Sequence, residues 1–199
     1  MSSISDAKVL GGIGAILVLL AAVPNVGWLL GIAGFVMILL AIRNVSQAVG
    51  DNKIYNNMLT AVILGIGAIA VGTVTVVGAV FHVLEMGSFV GSHFVLAPHI
   101  AVGDWFGLAV TVVGGLLAVW GLLVASVVFV RRSYGSMASK LNVKMFDTAG
   151  LLYLIGAATT IIGVGFFVIL VAEILLAVSF FSIAEQPGIA KVQPAIITG

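Results

Sequence analysis

From Met58 to Leu84 the chain carries no Asp, Glu, Lys or Arg, and from Trp105 to Val130 it carries none again. As helices rising about 1.5 Å per residue, each run would be about 40 Å long, more than the roughly 30 Å hydrocarbon core of a bilayer. A soluble domain is about 25% charged and about 45–50% apolar. Here 8% of the 199 residues are charged and 62% are hydrophobic. Too few polar groups remain to cover a water-soluble surface, so hydrocarbon is the expected solvent for most of the chain.

Four further apolar runs are shorter. Residues 9–23 and 28–42 flank Pro24-Asn25-Val26-Gly27, where a missing N–H and two turn-forming residues predict a tight reversal. Residues 148–183 would make one helix over 50 Å long at about 1.5 Å per residue, but Gly163-Val164-Gly165 lies near the middle. The reading is a second hairpin, 149–162 and 166–183. The expected fold is therefore all-α: a polytopic transmembrane helix bundle in one membrane domain. Two short hairpins flank two long transmembrane helices, 58–84 and 105–130, giving about six segments. The hairpin arms are short against a crossing of about 20 residues, so each either spans with little tilt, thins the bilayer, or re-enters. Ile13-Gly14-Ala15 and Ile155-Gly156-Ala157 hint at an internal repeat of the hairpins. Lys8 followed by an apolar run is also the pattern of a signal peptide, but a single basic residue favours an uncleaved first membrane segment.

Charge gives the orientation. All eight basic residues, Lys8, Arg43, Lys53, Arg131, Arg132, Lys140, Lys144 and Lys191, fall in 1–8, 43–57, 131–147 and 184–199. The opposite turns and the stretch 85–104 have none. Under the positive-inside rule this predicts a multi-pass protein of the cell membrane with both termini and the basic loops cytoplasmic. The sequon Asn44-Val45-Ser46 would then carry no glycan. Trp28, Tyr55, Trp105, Tyr134 and Tyr153 lie near segment ends, as an aromatic belt does. In 131–147, Tyr134, Met137, Leu141 and Met145 recur at helical spacing, which fits a short interfacial amphipathic helix or, equally, a solvated loop.

Val23-Pro24-Asn25-Val26-Gly27-Trp28, Gly50-Asp51 followed by Ile54-Tyr55-Asn56-Asn57, and Thr148-Ala149-Gly150-Leu151-Leu152-Tyr153 resemble an archaeal membrane family known as domain of unknown function 996. The likeness covers most of the chain apart from 85–104. It implies a multi-pass archaeal membrane protein with no assigned activity, and transfers no catalytic or binding residue.

Glu173, inside Val168-Ile169-Leu170-Val171-Ala172-Glu173-Ile174-Leu175-Leu176, is the residue that hydropathy does not explain. A carboxyl at membrane depth costs a few kcal/mol and marks an ion or proton site by default; the competing role is a hydrogen bond across helices, with Thr159, Thr160, Thr73 or Thr75 as partners. His82, Glu85, His93 and His99, with Asp104 nearby, form a weaker set of metal-ligand types at the other end. Small-xxx-small pairs, Gly27 with Gly31 and Gly103 with Gly107 among them, permit close helix approach within the chain or between copies.

The absence of cysteine excludes disulfides and thiolate metal sites, and no cofactor is expected. A net charge of +1 gives no basis for nucleic-acid binding. No phosphate loop, zinc helix or paired nucleophile and base is present, so the expectation is a protein that is not an enzyme. The expected partners are the lipid bilayer and another membrane protein or a second copy. The expected role is an accessory subunit or a self-associating structural component, with a small ion or proton channel or transporter built on Glu173 as the alternative.

Overall fold

A computed structural model describes residues 4–90, 93–96 and 102–184. His99 and the C-terminal stretch with Lys191 lie outside the described residues. Six helices follow one another: α1 (Ile4–Leu19), α2 (Gly27–Val49), α3 (Asn52–Glu85), α4 (Val102–Leu141), α5 (Met145–Thr159) and α6 (Gly165–Phe181). Between α3 and α4, two four-residue strands, β1 (Gly87–Val90) and β2 (His93–Leu96), pair antiparallel with Gly87 opposite Leu96. The expected helical architecture is the observed one, with long α3 and α4 between two short hairpins. The strand pair stands in a region that the sequence marks only by its turn residues.

The α1–α2 turn begins as a 3₁₀ turn, Leu20–Ala22, and reverses at Asn25, whose φ is +69°. The α5–α6 turn repeats the scheme with a 3₁₀ turn, Thr160–Ile162, and Gly163 at φ +82°. At the opposite end the helices run on past their apolar segments, because backbone bonding continues once the side chains become polar. Helix α2 ends at Gly50 in the left-handed conformation, and Asp51 caps α3 by accepting from the Lys53 N–H at 3.0 Å. The stretch 131–147 is neither a separate interfacial helix nor a loop, the two forms expected of it. It continues α4 to Leu141, and its apolar side, Tyr134 and Met137, is buried among the other helices.

Five of the helical segments are long and apolar enough to cross a membrane: Ile4–Ala22, α2, α3, α4 and Met145–Ile162; α6, at 17 residues, is shorter. The chain is a multi-pass membrane protein by this measure. Each helix packs on its neighbour in the order α2, α1, α6, α5, α4, α3, and α3 meets α2 again. The core lies at the basic end, where Ile42, Val45, Ile54, Met58, Tyr134, Met137, Phe146, Leu176 and Phe180 are buried together. Toward the strands, α3 and α4 pack on each other, and large side chains such as Ile69, Val74 and Phe106 face outward.

Two serines tie α4 to α3: Ser126 Oγ donates to the Ala61 carbonyl and Ser133 Oγ to the Ile54 carbonyl, both at 2.8 Å. Ser133 is fully buried. Ser133→Ala is expected to cost about 1 kcal/mol, the net value of one such bond, read as a lower thermal midpoint in detergent.

Candidate functional site

Glu173 sits midway along α6 on the face formed by Ala172, Leu176, Ala177 and Phe180, the spacing that turns one side of a helix inward. It is 8% exposed. Two phenols approach it from the neighbouring helices. The Tyr153 side chain on α5 engages the carboxyl, and Tyr134 on α4 lies within electrostatic reach of it. The Tyr134 and Tyr153 rings stand 6.1 Å apart, centroid to centroid. Below them Tyr134 meets Phe146 at 6.2 Å, and Phe146 meets Phe180 edge-on at 5.0 Å. Glycines let the helices come this close: a Cβ at Gly150 would lie 3.2 Å from the Arg131 Cα, and Gly11 of α1 lies against the Phe180 ring. One carboxyl oxygen, Oε2, is buried with no hydrogen-bond partner.

The four threonines expected as partners of Glu173 bond elsewhere. Thr159 and Thr160 donate to carbonyls of Ile155 and Gly156, Thr73 to Ile69, and Thr75 to Val71, each within its own helix or the turn that follows it. Tyr134 and Tyr153, read from sequence as interfacial aromatics, are instead the groups nearest the acid. The signal was present for Tyr134, which belongs to the apolar periodicity of 131–147. For Tyr153 the misleading step was the segment boundary: α5 starts at Met145, so Tyr153 is mid-helix. Trp120, which no sequence motif marks, is also tied to a neighbouring helix. Its Nε1–H donates to the Ala158 carbonyl at 3.3 Å, the partner that an indole within a membrane helix requires.

Chemically, the arrangement is a carboxyl and two phenols walled by aromatic rings, able to hold a proton but with no second acid beside it in the sequence of α4, α5 or α6 at this level. At the other end, His82 Nε2 lies 2.9 Å from the Asp104 carbonyl oxygen; a carbonyl only accepts, so the imidazole donates. This bond joins α3 to α4. Glu85 and His93 are exposed and are not gathered with it, and among the described residues no three His, Asp or Glu side chains form a metal-binding group. His99, the fourth residue of the metal set read from sequence, lies outside the described residues.

The glycines divide. A Cβ at Gly27 would strike the Ala21 carbonyl, one at Gly31 would lie 2.9 Å from the Ala21 Cβ, and one at Gly107 would lie 3.0 Å from the His82 ring. Among the described residues, nothing lies within 4 Å of a Cβ placed at Gly103. Two further close approaches involve glycines that the spacing rule did not select, Gly14 with Gly34 and Gly156 with Gly165.

A family model described as a protein of unknown function, DUF996, matches residues 30–174, a range that includes Tyr134, Tyr153 and Glu173. An uncharacterised protein of Methanocaldococcus jannaschii is 35% identical over 188 residues, covering 92% of this chain and 94% of that protein. No solved structure matches the chain.

Proposed function

Because the chain belongs to the DUF996 family of archaeal proteins of unknown function, we propose a role from its own geometry: a non-enzymatic integral membrane protein that works by association, as an accessory subunit of a membrane complex or a self-associating structural component. The observation that carries this is the bare α3–α4 pair. On α4, Gly114 and Gly121 have nothing within 4 Å, and at seven residues apart they lie on one side of the helix, two turns from each other. Small residues facing outward in a membrane helix admit a second helix at close range.

The test is purification in native lipid discs, with the mass of the particle measured. A stoichiometric second chain, or more than one copy, is the expected result; a lone monomer would refute the reading. The double substitution Gly114→Leu with Gly121→Leu should leave the fold intact, since both sites are open within the chain. It should weaken association about tenfold or more, equivalent to about 1.4 kcal/mol.

In this reading the protein lies in the cell membrane with its basic end in the cytoplasm. Supporting it, Lys8, Arg43, Lys53, Arg131, Arg132, Lys140 and Lys144 all lie toward the end of the bundle away from the strands. The sequon at Asn44 is a poor probe of this, because Val45 and Ser46 are buried. Ser139→Cys is better, since Ser139 is exposed: it should resist a membrane-impermeant maleimide in intact cells and react in inverted vesicles. A second reading, proton or ion transport, is favoured by one observation only, the unpartnered Oε2 of Glu173.

A further inference from the structure

The register between helices fixes how far each hairpin reaches. Helices α3 and α4 keep pace over their whole length, from the Ser133–Ile54 bond at the basic end to the His82–Asp104 bond beside the strands. The α5–α6 hairpin does not. The Trp120 bond places Ala158, in the last turn of α5, abreast of the middle of α4, and the chain reverses at Gly163. Residues 102–119 of α4 lie beyond Trp120, about 27 Å at 1.5 Å per residue. Measured from the other side, Gly150 packs against Arg131. Residues 151–162 are then all that lies above that arginine, about 18 Å at the same rise, against a hydrocarbon core of about 30 Å.

The α1–α2 hairpin also stops short. Helices α2 and α3 diverge from the Gly50–Asp51 turn, which sets Phe35 of α2 about level with Ile66 of α3, and both residues line one apolar crevice. From there α2 has only residues 27–34 left, about 12 Å, whereas α3 continues through residues 67–85, about 28 Å.

The tips have the chemistry of a lipid-facing surface. Ile162 is 70% exposed and Phe167 72%, with Ile161, Val164, Val26 and Trp28 also outward, and no charged residue occurs in 9–42 or 148–172. A turn inside hydrocarbon must satisfy its own backbone. In the first tip the N–H groups of Val23, Val26, Gly27, Leu29 and Leu30 all reach carbonyls at 2.8–3.3 Å. In the second, the Gly163 N–H donates to the Thr160 carbonyl and the Phe167 N–H to the Val164 carbonyl, while the Thr159 and Thr160 hydroxyls are themselves satisfied by carbonyls of α5.

We propose that both hairpins enter the bilayer from the basic side and turn back within the acyl chains, so that α3–α4 alone crosses. Helices α1, α2 and α5 satisfy the length criterion because each extends past its apolar run at the basic end, α1 from Ile4, α2 to Val49 and α5 from Met145. The molecule is then six helices wide in one leaflet and two in the other.

The native chain has no cysteine, so each introduced thiol is unique. Asn25→Cys and Ile162→Cys would be labelled with bimane in detergent, where both tips are exposed, and reconstituted into vesicles. Ser139→Cys and His93→Cys mark the two aqueous faces. The expected result is loss of tip fluorescence with lipids brominated at mid-chain and none with aqueous iodide on either side, while the two markers show the reverse. Val26→Cys and Val164→Cys replace a tip variant that fails to reconstitute. Iodide quenching at a tip from the His93 side would make that hairpin a true crossing, and from the Ser139 side a surface element; either result overturns the proposal for that hairpin.

Discussion

Gly34→Leu is expected to yield no folded protein. A Cβ at Gly34 would land on the carbonyl oxygen of Gly14 and lie 2.8 Å from both the Leu17 Cβ and the Val18 nitrogen. From the other side, a Cβ at Gly14 would lie 2.8 Å from the Gly34 oxygen and 3.0 Å from the Ile38 nitrogen. Two of these neighbours are backbone atoms of α1, which cannot swing aside as a side-chain end can, so α1 and α2 would have to part. Overpacking a core by a few methylenes already costs about 1–3 kcal/mol, and here α1 also carries Gly11 against Phe180, a contact that joins α1 to α6. Separating α1 from α2 therefore disturbs the core and not one hairpin alone. Gly34→Ala should fold with a clearly lowered thermal midpoint, and Gly34→Leu should be lost as aggregate or degraded. Gly107→Leu should be milder, since its neighbour is the end of the His82 side chain. Recovery of Gly34→Leu at a wild-type thermal midpoint would show that the helices do not cross at this distance.

The same crossing shows what a single sequence discloses. Six apolar helices, their order and both hairpin turns were legible, because uncharged runs bounded by Pro-Asn or Gly-Val-Gly allow few alternatives. The helix ends were not, because polar residues such as Arg43 and Tyr134 continue a helix once its backbone is bonded. Partners were the least legible. Spacing selected Gly27, Gly31 and Gly107, which lie against neighbours, but passed over Gly14 and Gly34, whose contact depends on how two helices cross. The triplets Ile13-Gly14-Ala15 and Ile155-Gly156-Ala157 held a further signal: in each hairpin that glycine lies against a glycine of the other arm, Gly14 against Gly34 and Gly156 against Gly165. Glu173 was visible as an anomaly because a lone acid in an apolar run is costly. Its company of two tyrosines depends on the relative register of α4, α5 and α6, which local pattern does not carry.

That company makes Tyr153→Phe the informative substitution at the acid. Removing the hydroxyl leaves the Glu173 carboxyl, already with one orphan oxygen, buried without its phenol. Leaving a buried polar group unsatisfied costs about 1–3 kcal/mol, more if it is charged, so the thermal midpoint should fall. Removing both partners should not add a second loss. Glu173→Leu takes away the orphan oxygen along with the carboxyl, and the double substitution Tyr153→Phe with Glu173→Leu should regain most of the stability that Tyr153→Phe alone loses. This non-additivity is the signature of a pair whose members matter through each other. Equal and additive losses would mean that the two side chains contribute only packing. Function separates by a different measurement. If the acid only joins helices, vesicles containing the native protein should pass no more protons or alkali cations than empty ones under an imposed pH gradient or potential, and Glu173→Gln should assemble as the native protein does. Flux through the native protein that vanishes in a well-folded Glu173→Gln would instead put the unpartnered oxygen on a transport path. The association reading would then have to yield to it.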